Sequence, residues 1–480
     1  MTILDTRLVP IRVAVLAAVG VLASALALLI APSPHRLGAD RSGEPDLAAR
    51  VTDVVDGEET GYRGLSVAFV DGARVETATV GDLAGGPRFE IGSVAKPFTG
   101  MLLADLIADG VVRPDETLRD VLPEVRFDDP AVGAVTLAEL ASHRSGLPRL
   151  GGGPTQVFRS AWAALRGANP YGEDVDDILR QAAETSVGGG RGDVRYSNFG
   201  MALLGQALAA RTGTPYTELV TERVLRPLGM NDTTLTGADS ARGSTASGRP
   251  VEAWSGVGYA PAGTGVRSTA ADLAKLVTAL LDGSAPGADA ATPRFADDES
   301  RIGYAWFTDD GITWHNGGTR GFRSYVGFDR DSGRGVVVLG NTDRDVDWIG
   351  RRLLGDGDAE PSAAGPGLWQ AAVTATLLLF AIIMLPTLAF RTGRAVDRLR
   401  AVSAVLSTVV VLLVAHRLGD WIAVPPPLWA VAAGVAAAGA GLIVFRWRDI
   451  PTLASGPAWM RWSGLAASAA LSLVVGVAIW

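Results

Sequence analysis

The sequence has 480 residues, of which 48% are hydrophobic and 20% are charged, with a formal net charge of −8. This mixture is too apolar for an ordinary soluble protein and too charged for a pure membrane bundle, so it predicts a globular domain joined to membrane segments. The absence of cysteine excludes disulfides and thiolate chemistry, the four scattered histidines argue against a metal site, and the acidic balance argues against nucleic-acid binding.

An uncharged apolar stretch lies close to the start of the chain. Residues 13–31, VAVLAAVGVLASALALLIA, follow Arg7 and Arg12. These 19 residues are long for the core of a signal peptide and close to the length of a membrane span. We therefore predict an exported chain in which residues 1–31 form an anchor helix, with a cleaved signal peptide as the alternative. Residues 32–48 are polar and are predicted to be a linker.

Residues 49–355 have the pattern of a globular domain. GLSVAFVDG and ARVETATVGD predict two strands around a turn, and SVAKPFTGMLLADLIADG predicts a helix, because its apolar residues repeat near the helical period. More helical stretches follow, and strand-like runs separated by Gly-containing turns return between residues 302 and 341. Strands at both ends with helices between them predict an α+β domain with an antiparallel sheet.

The C-terminal part is predicted to be membrane-embedded. After a linker at residues 356–367, four apolar spans are expected, at about 368–390, 401–423, 427–445 and 464–480. Arginines lie between the first two spans and between the last two, whereas the connector PPP carries no basic residue. The positive-inside rule then makes both arginine-bearing loops cytoplasmic. This predicts a multi-pass cell-membrane protein, in contact with lipid, whose globular domain is extracytoplasmic.

Ser93 and Lys96 form a Ser-x-x-Lys pair at the start of the predicted helix. Residues three apart share a helix face, so the amine can reach the hydroxyl. Only two of the 43 basic residues are lysines, which suggests that this position needs an amine that can lose its proton. Such an amine can activate a serine nucleophile, although the pattern alone also arises by chance.

Two further patterns carry polar groups. Tyr196 and Asn198 precede a predicted helix and could be a base and a substrate-orienting amide, or simply a helix start with its cap. The run HNGG, which contains His315, Gly317 and Gly318, follows an apparent strand. Its glycines would let a backbone N–H approach a ligand, or it could be an ordinary hairpin end.

In their order along the chain, Ser-x-x-Lys, Tyr-x-Asn and His-x-Gly resemble the serine β-lactamase and penicillin-binding superfamily. The resemblance is to the branch of class C β-lactamases, D-alanyl-D-alanine carboxypeptidases and related esterases. LASHRSGLP, VLRPLGMNDT and PAGTGVRSTAADLAKL match further segments of that branch. The resemblance covers about residues 50–355 and implies a serine β-lactamase-like fold, in which a helical subdomain joins the sheet. It implies no metal and no cofactor.

The resemblance also implies catalytic roles. Ser93 would be the acylated nucleophile, and Lys96 and Tyr196 would be the proton-transfer pair. The N–H groups of Ser93 and Gly318 would form the oxyanion hole, which often supplies a large part of the rate enhancement. His143, in LASHRSGLP, is interpreted as a structural histidine near the site.

Substrate binding would involve Asn198, which orients an amide, and the strand motif that contains His315 and Gly317. Efficient class C β-lactamases have Lys where this chain has His315, and Thr at the next position, where it has Asn316. The departure favours peptidase or esterase activity over efficient β-lactam hydrolysis. Arg320 is a candidate for the missing carboxylate contact, with an exposed loop arginine as the alternative.

The resemblance thus implies a serine hydrolase, and the apolar spans predict that it is tethered to the membrane. Its substrates would be small peptides, amides or esters, with peptidoglycan and β-lactams among the candidates. The alternative is a non-catalytic sensor that binds penicillin or wall fragments and signals through its helices. A membrane structural or transport protein is a third hypothesis, which the scarcity of polar residues in the spans disfavours.

Overall fold

The computed structural model describes residues 3–83, 86–236, 241–296, 301–361, 367–390, 396–453 and 457–479. These form two compact units. The first comprises His35–Ala163 with Gly167–Ser362, and the second comprises Met1–Pro34, Ala164–Arg166 and Ala363–Trp480.

The first unit contains the sheet and most of the helices. Its strands are β1 Arg41–Gly43, β2 Gly64–Asp71, β3 Arg74–Gly81, β4 Phe89–Glu90, β5 Arg267–Ser268, β6 Phe295–Ala296, β7 Arg301–Ile302, β8 Phe307–Asp309, β9 Ile312–Gly318, β10 Arg323–Asp329 and β11 Arg334–Gly340. Its helices are α2 Pro45–Val54, α3 Lys96–Ala108, α4 Leu118–Val121, α5 Pro130–Gly133, α6 Leu137–Ala141, α8 Val175–Glu184, α9 Asn198–Thr212, α10 Tyr216–Val220, α11 Ala270–Leu281 and α12 Asp347–Leu354, and α7 Gly153–Arg166 falls partly in each unit.

Nine of the described strands form one antiparallel sheet in the order β1-β3-β2-β11-β10-β9-β8-β7-β6. Its central strands come from both ends of the domain, since β2 pairs with β11. Alternate residues of each strand face opposite sides. Ala68 and Val70 therefore join the core beneath α3, α9 and α11, whereas Val67 and Phe69 join the core beneath α2 and α12. This confirms the predicted α+β fold, with an antiparallel sheet flanked by helices.

The second unit consists mainly of long apolar helices: α1 Ile3–Leu28, α13 Gly367–Phe390, α14 Arg398–Leu418, α15 Pro427–Phe445 and α16 Ala458–Ile479. Each of these five described helices is long and apolar enough to span a membrane. Small residues allow close contact between α1 and α15. A Cβ on Gly434 would lie only 1.9 Å from Ser24 Oγ.

Several predicted boundaries differ from the structure. Part of the predicted linker at residues 32–48 is ordered, because β1 pairs with β3 and α2 begins at Pro45. α14 begins and ends earlier than the predicted span 401–423, and α16 begins earlier than residue 464. In the predicted linker 356–367 and the first arginine-bearing loop, residues 362–366 and 391–395 lie outside the described residues.

Candidate active site

Ser93 lies in a single 3₁₀ turn, Gly92–Ala95, between β4 and α3. Gly92 has a φ of 49°, in the left-handed region that favours glycine, so the chain can turn sharply from the strand into the helix. α3 follows at once, with Pro97 in its first turn, where a missing N–H has little cost. The turn therefore places Ser93 at the amino end of a buried helix.

Lys96 is completely buried, and its Nζ lies 2.7 Å from Ser93 Oγ. The same amine donates to the carbonyl oxygen of Ala262, also at 2.7 Å. Burial, together with the charge of Arg149, lowers the pKa of Lys96 well below its usual value. An amine with a lowered pKa, at hydrogen-bond distance from a hydroxyl, is placed to act as a general base.

Tyr196 completes a group of three around the hydroxyl. Its phenol hydrogen-bonds Ser93, and Lys96 Nζ lies 5.0 Å from the centre of its ring. Burial raises the pKa of Tyr196 to about 12. The phenol therefore keeps its proton at neutral pH and can donate it. The structure thus brings together the three residues that the sequence singled out as catalytic.

His143 fixes the segment that carries Tyr196. Its carbonyl oxygen accepts a hydrogen bond from Arg195 N at 2.7 Å, and its Nδ1 accepts one from Ser197 N at 3.3 Å. These two bonds hold the neighbours of Tyr196 on either side. The His143 backbone has a φ of 56°, which is uncommon for a residue with a side chain. This supports the structural interpretation of His143.

The carboxyl end of β9 forms the opposite wall. β8 pairs only with Ile312–Trp314, so among the described residues no strand follows the edge of β9 from His315 onwards. Gly317 packs directly against the nucleophile turn, because a Cβ there would lie 2.0 Å from the Ile91 carbonyl oxygen and 3.0 Å from Ser93 N. Gly318 N also lies next to this turn, 2.8 Å from where a Cβ on Gly92 would be.

The strand motif supplies no positive charge to this wall. His315 Nδ1 lies 2.6 Å from the carbonyl oxygen of Asn316, so Nδ1 carries a proton and donates it. Burial and the charge of Lys96 lower the pKa of His315 to about 3, which keeps the ring neutral. The Asn316 amide points to the other face of the sheet and donates to Asp347. No described group hydrogen-bonds His315 Nε2, which remains an available acceptor.

Asn198 and Arg320 occupy different environments. Asn198 Nδ2 donates to the Tyr171 hydroxyl at 3.4 Å, whereas its buried Oδ1 has no hydrogen-bond donor among the described residues. That oxygen suits a substrate N–H. Burial raises the pKa of the Asp343 carboxyl, and the charge of Arg320 opposes that rise. The contact between Arg320 and a substrate carboxylate stays a prediction.

Sequence reasoning did not identify Arg149 or Tyr171. The Arg149 guanidinium carbon lies 5.2 Å from the centre of the Tyr196 ring, and the Tyr171 ring packs at tilted angles against the rings of Trp254 and Tyr259. Arg149 follows directly after the segment LASHRSGLP, and this adjacency was the one available signal. Among the described residues, no cluster of three or more His, Asp or Glu side chains could hold a metal ion.

Comparisons with known proteins show the family of the domain. The family model described as Beta-lactamase matches residues 47–355. The D-alanyl-D-alanine-carboxypeptidase/endopeptidase AmpH of Escherichia coli (strain K12) is 30% identical over 206 residues, which cover 40% of this chain and 51% of AmpH. The human Putative beta-lactamase-like 1 is 31% identical over 253 residues, which cover 49% of this chain and 48% of that protein. The chain thus spans about half the length of these curated relatives.

Solved structures share the fold of the domain. The beta-lactamase/D-alanine carboxypeptidase from Pseudomonas syringae aligns with a TM-score of 0.56 and 20% identity, covering 66% of this chain and 100% of that chain. The D-alanine carboxypeptidase AmpC from Burkholderia cenocepacia aligns with a TM-score of 0.54 and 23% identity, covering 65% and 99%.

Proposed function

This chain belongs to the beta-lactamase family, and we propose that it is an exported, membrane-tethered serine hydrolase that works through an acyl-enzyme on Ser93. The observation that carries the proposal is the buried Lys96 amine, 2.7 Å from Ser93 Oγ and with a lowered pKa. Burying an amine without a carboxylate is costly, and catalysis gives a reason for keeping it.

The proposed reaction has two steps. Lys96 accepts the proton of Ser93 Oγ, which attacks the substrate carbonyl carbon, while the N–H groups of Ser93 and Gly318 stabilise the oxyanion. The bond to the leaving group breaks, and Tyr196 protonates that group and regains a proton through Lys96. Water then hydrolyses the acyl-enzyme, which releases the acid and restores the Ser93 hydroxyl.

The proposed substrates are small peptides, amides or esters, of which D-alanyl peptides of the cell wall are the first to test. The name of the relative AmpH supports the peptide class, and the neutral His315 speaks against efficient β-lactam hydrolysis. The test is hydrolysis of D-alanyl peptides, of a nitrophenyl ester and of a chromogenic β-lactam by the full-length chain in detergent, with Ser93→Ala as control. Loss of peptide and ester hydrolysis in Ser93→Ala would support the proposal, and equal rates in both proteins would refute it.

We also propose that the hydrolase domain is extracytoplasmic. The five apolar helices and the positions of the arginines support this topology. Because the chain lacks cysteine, single substitutions can be labelled without background. A membrane-impermeant maleimide added to intact cells should label Asp331→Cys, in the β10–β11 turn, and not Asp449→Cys, between α15 and α16. The reverse pattern would refute the topology.

A sensor remains the second candidate, because five apolar helices are more than a tether needs. In that case Ser93 would be acylated once and released slowly. Steady-state turnover separates the two functions, since a sensor gives a single burst equal to the amount of protein, whereas a hydrolase continues beyond it.

A further inference from the structure

The helix α7 turns apolar side chains outwards. Successive residues of a helix are about 100° apart, so Phe158, Ala161, Trp162 and Leu165 share one face, which we call the apolar face of α7. Phe158 is 71% exposed, Ala161 is exposed, and Trp162 and Leu165 are half-exposed. A contiguous apolar face that is left exposed marks an interaction surface.

The other side of α7 is bound to the domain by polar contacts. Gln156 is buried, and its Nε2 donates to the Pro170 carbonyl oxygen at 3.4 Å. Arg159 forms an ion pair at 3.0 Å with the buried carboxylate of Glu173. A surface helix normally turns such groups to water and its apolar face to the core, so α7 has the reverse orientation. The helix cannot bury its apolar face in the domain without breaking these contacts.

The carboxyl end of α7 is bonded to the end of an apolar helix. Arg417 Nε donates to the Leu165 carbonyl oxygen at 2.7 Å, and its Nη2 donates to that of Arg166 at 3.0 Å. Leu418, the last residue of α14, accepts a hydrogen bond from Gln370 Nε2, at the start of α13. Both α13 and α14 are long and apolar enough to span a membrane, so this shared end lies at the level of the bilayer surface. The last three residues of α7 belong to the same compact unit as these two helices.

The side chains of the apolar face suit this level of the bilayer. Aromatic residues are enriched where acyl chains meet headgroups, and Trp369, 74% exposed near the start of α13, has the same character as Phe158 and Trp162. Because α7 ends where membrane-spanning helices end, lipid is favoured over a protein as the occupant of this face.

We propose that α7 lies in the surface of the bilayer, with its apolar face inserted between lipid headgroups. A helix of this kind buries its apolar face about 5–10 Å into the boundary between headgroups and acyl chains. α7 therefore holds the hydrolase domain against the membrane at a point separate from the five spanning helices. The inference is independent of the proposed reaction, because no step of that reaction uses α7.

Fluorescence quenching at single cysteines tests the inference, since the chain has no cysteine of its own. The full-length variants Phe158→Cys and Ala161→Cys are labelled with an environment-sensitive maleimide and placed in nanodiscs of phosphatidylcholine and phosphatidylglycerol. Asp331→Cys, at an exposed position in the β10–β11 turn, is the control. One quencher is a phosphatidylcholine with a nitroxide on its acyl chain near the headgroup, and the other is aqueous iodide. Unchanged thermal unfolding shows that each variant is folded, and Ala161→Cys leaves Phe158 in place.

We expect the nitroxide lipid to quench the labels at positions 158 and 161 strongly and iodide to quench them weakly, with the reverse at position 331. The same variants carrying Ser93→Ala should give the same result, so a failure of the proposed reaction would leave the inference intact. Quenching of positions 158 and 161 by iodide alone would show a face in water and overturn the inference. Protection from both quenchers would show that protein covers the face, and would overturn it as well.

Discussion

The ring of His143 lies 4.4 Å from the ring of Tyr196, centre to centre, and its hydrogen bonds hold both neighbours of that tyrosine. His143 is a positioning residue, because it acts on the reaction through the place it gives to the phenol. Burial lowers its pKa well below the usual value, so it does this as a neutral ring.

His143→Ala should reduce kcat about 100-fold with little change in KM, because a small displacement of the Tyr196 phenol costs rate and not binding. Alanine also disfavours the left-handed backbone at this position. His143→Asn should recover much of the rate, since asparagine tolerates that backbone and its Oδ1 can accept from Ser197 N. Steady-state kinetics of both variants checks this, and equal losses in kcat for the two would argue against it.

Lys96→Arg should slow acylation of Ser93 about 100- to 10,000-fold, because arginine keeps its charge and cannot act as a base. The only other lysine offers a matched control. Lys275 is half-exposed, and its Nζ donates to the Gly229 carbonyl oxygen and pairs with Asp272. Lys275→Arg should acylate normally. Stopped-flow acylation with a nitrophenyl ester measures both, and full activity in Lys96→Arg would exclude Lys96 as the base.

Gly317→Ala should reduce acylation about 100-fold, because the added Cβ would displace the backbone that carries the oxyanion donors. Overpacking at this contact should also lower the free energy of unfolding by about 1–3 kcal/mol. Gly189→Ala is the control, since no atom outside its neighbours lies within 4 Å of a Cβ there. Acylation rate and urea unfolding are the measurements. A Gly317→Ala variant as active as Gly189→Ala would contradict the proposed contact.

The rate of acylation should have an acid limb set by Lys96 and no alkaline limb from Tyr196 below about pH 10. The amine must be neutral to accept a proton, so activity falls as the pH drops through its lowered pKa. Replacing Arg149 by Gln removes a nearby positive charge, which raises the pKa of Lys96 and moves the acid limb to higher pH. The pH dependence of the acylation rate, measured for the original chain and for Arg149→Gln, tests the direction of this shift. An acid limb that moves to lower pH in Arg149→Gln would contradict the prediction.

Much of the fold follows from periodic sequence. β2, β3 and α3 were predicted because each is a long run of strand-forming or helix-forming residues that ends at a turn signal. β1 and α12 were not predicted from the sequence, because β1 is only three residues long and α12 only eight. Such short elements are held by packing on the sheet, and no local pattern reveals that packing.

Some residues of the candidate active site could be predicted from the sequence, and others could not. Ser93, Lys96 and Tyr196 belong to motifs that can be read from the sequence, and the structure brings them together. Arg149 and Tyr171 belong to none. Their place in the site depends on contacts with α9, through Asn198, that only the folded chain makes.

The most direct test is to find where the protein is acylated. The full-length chain in detergent is incubated with a fluorescent penicillin or with a nitrophenyl ester, digested, and analysed by mass spectrometry. We predict an adduct on Ser93 that is absent from Ser93→Ala and forms about 100- to 10,000-fold more slowly in Lys96→Arg. An adduct on another residue, or hydrolysis that persists in Ser93→Ala, would contradict the account.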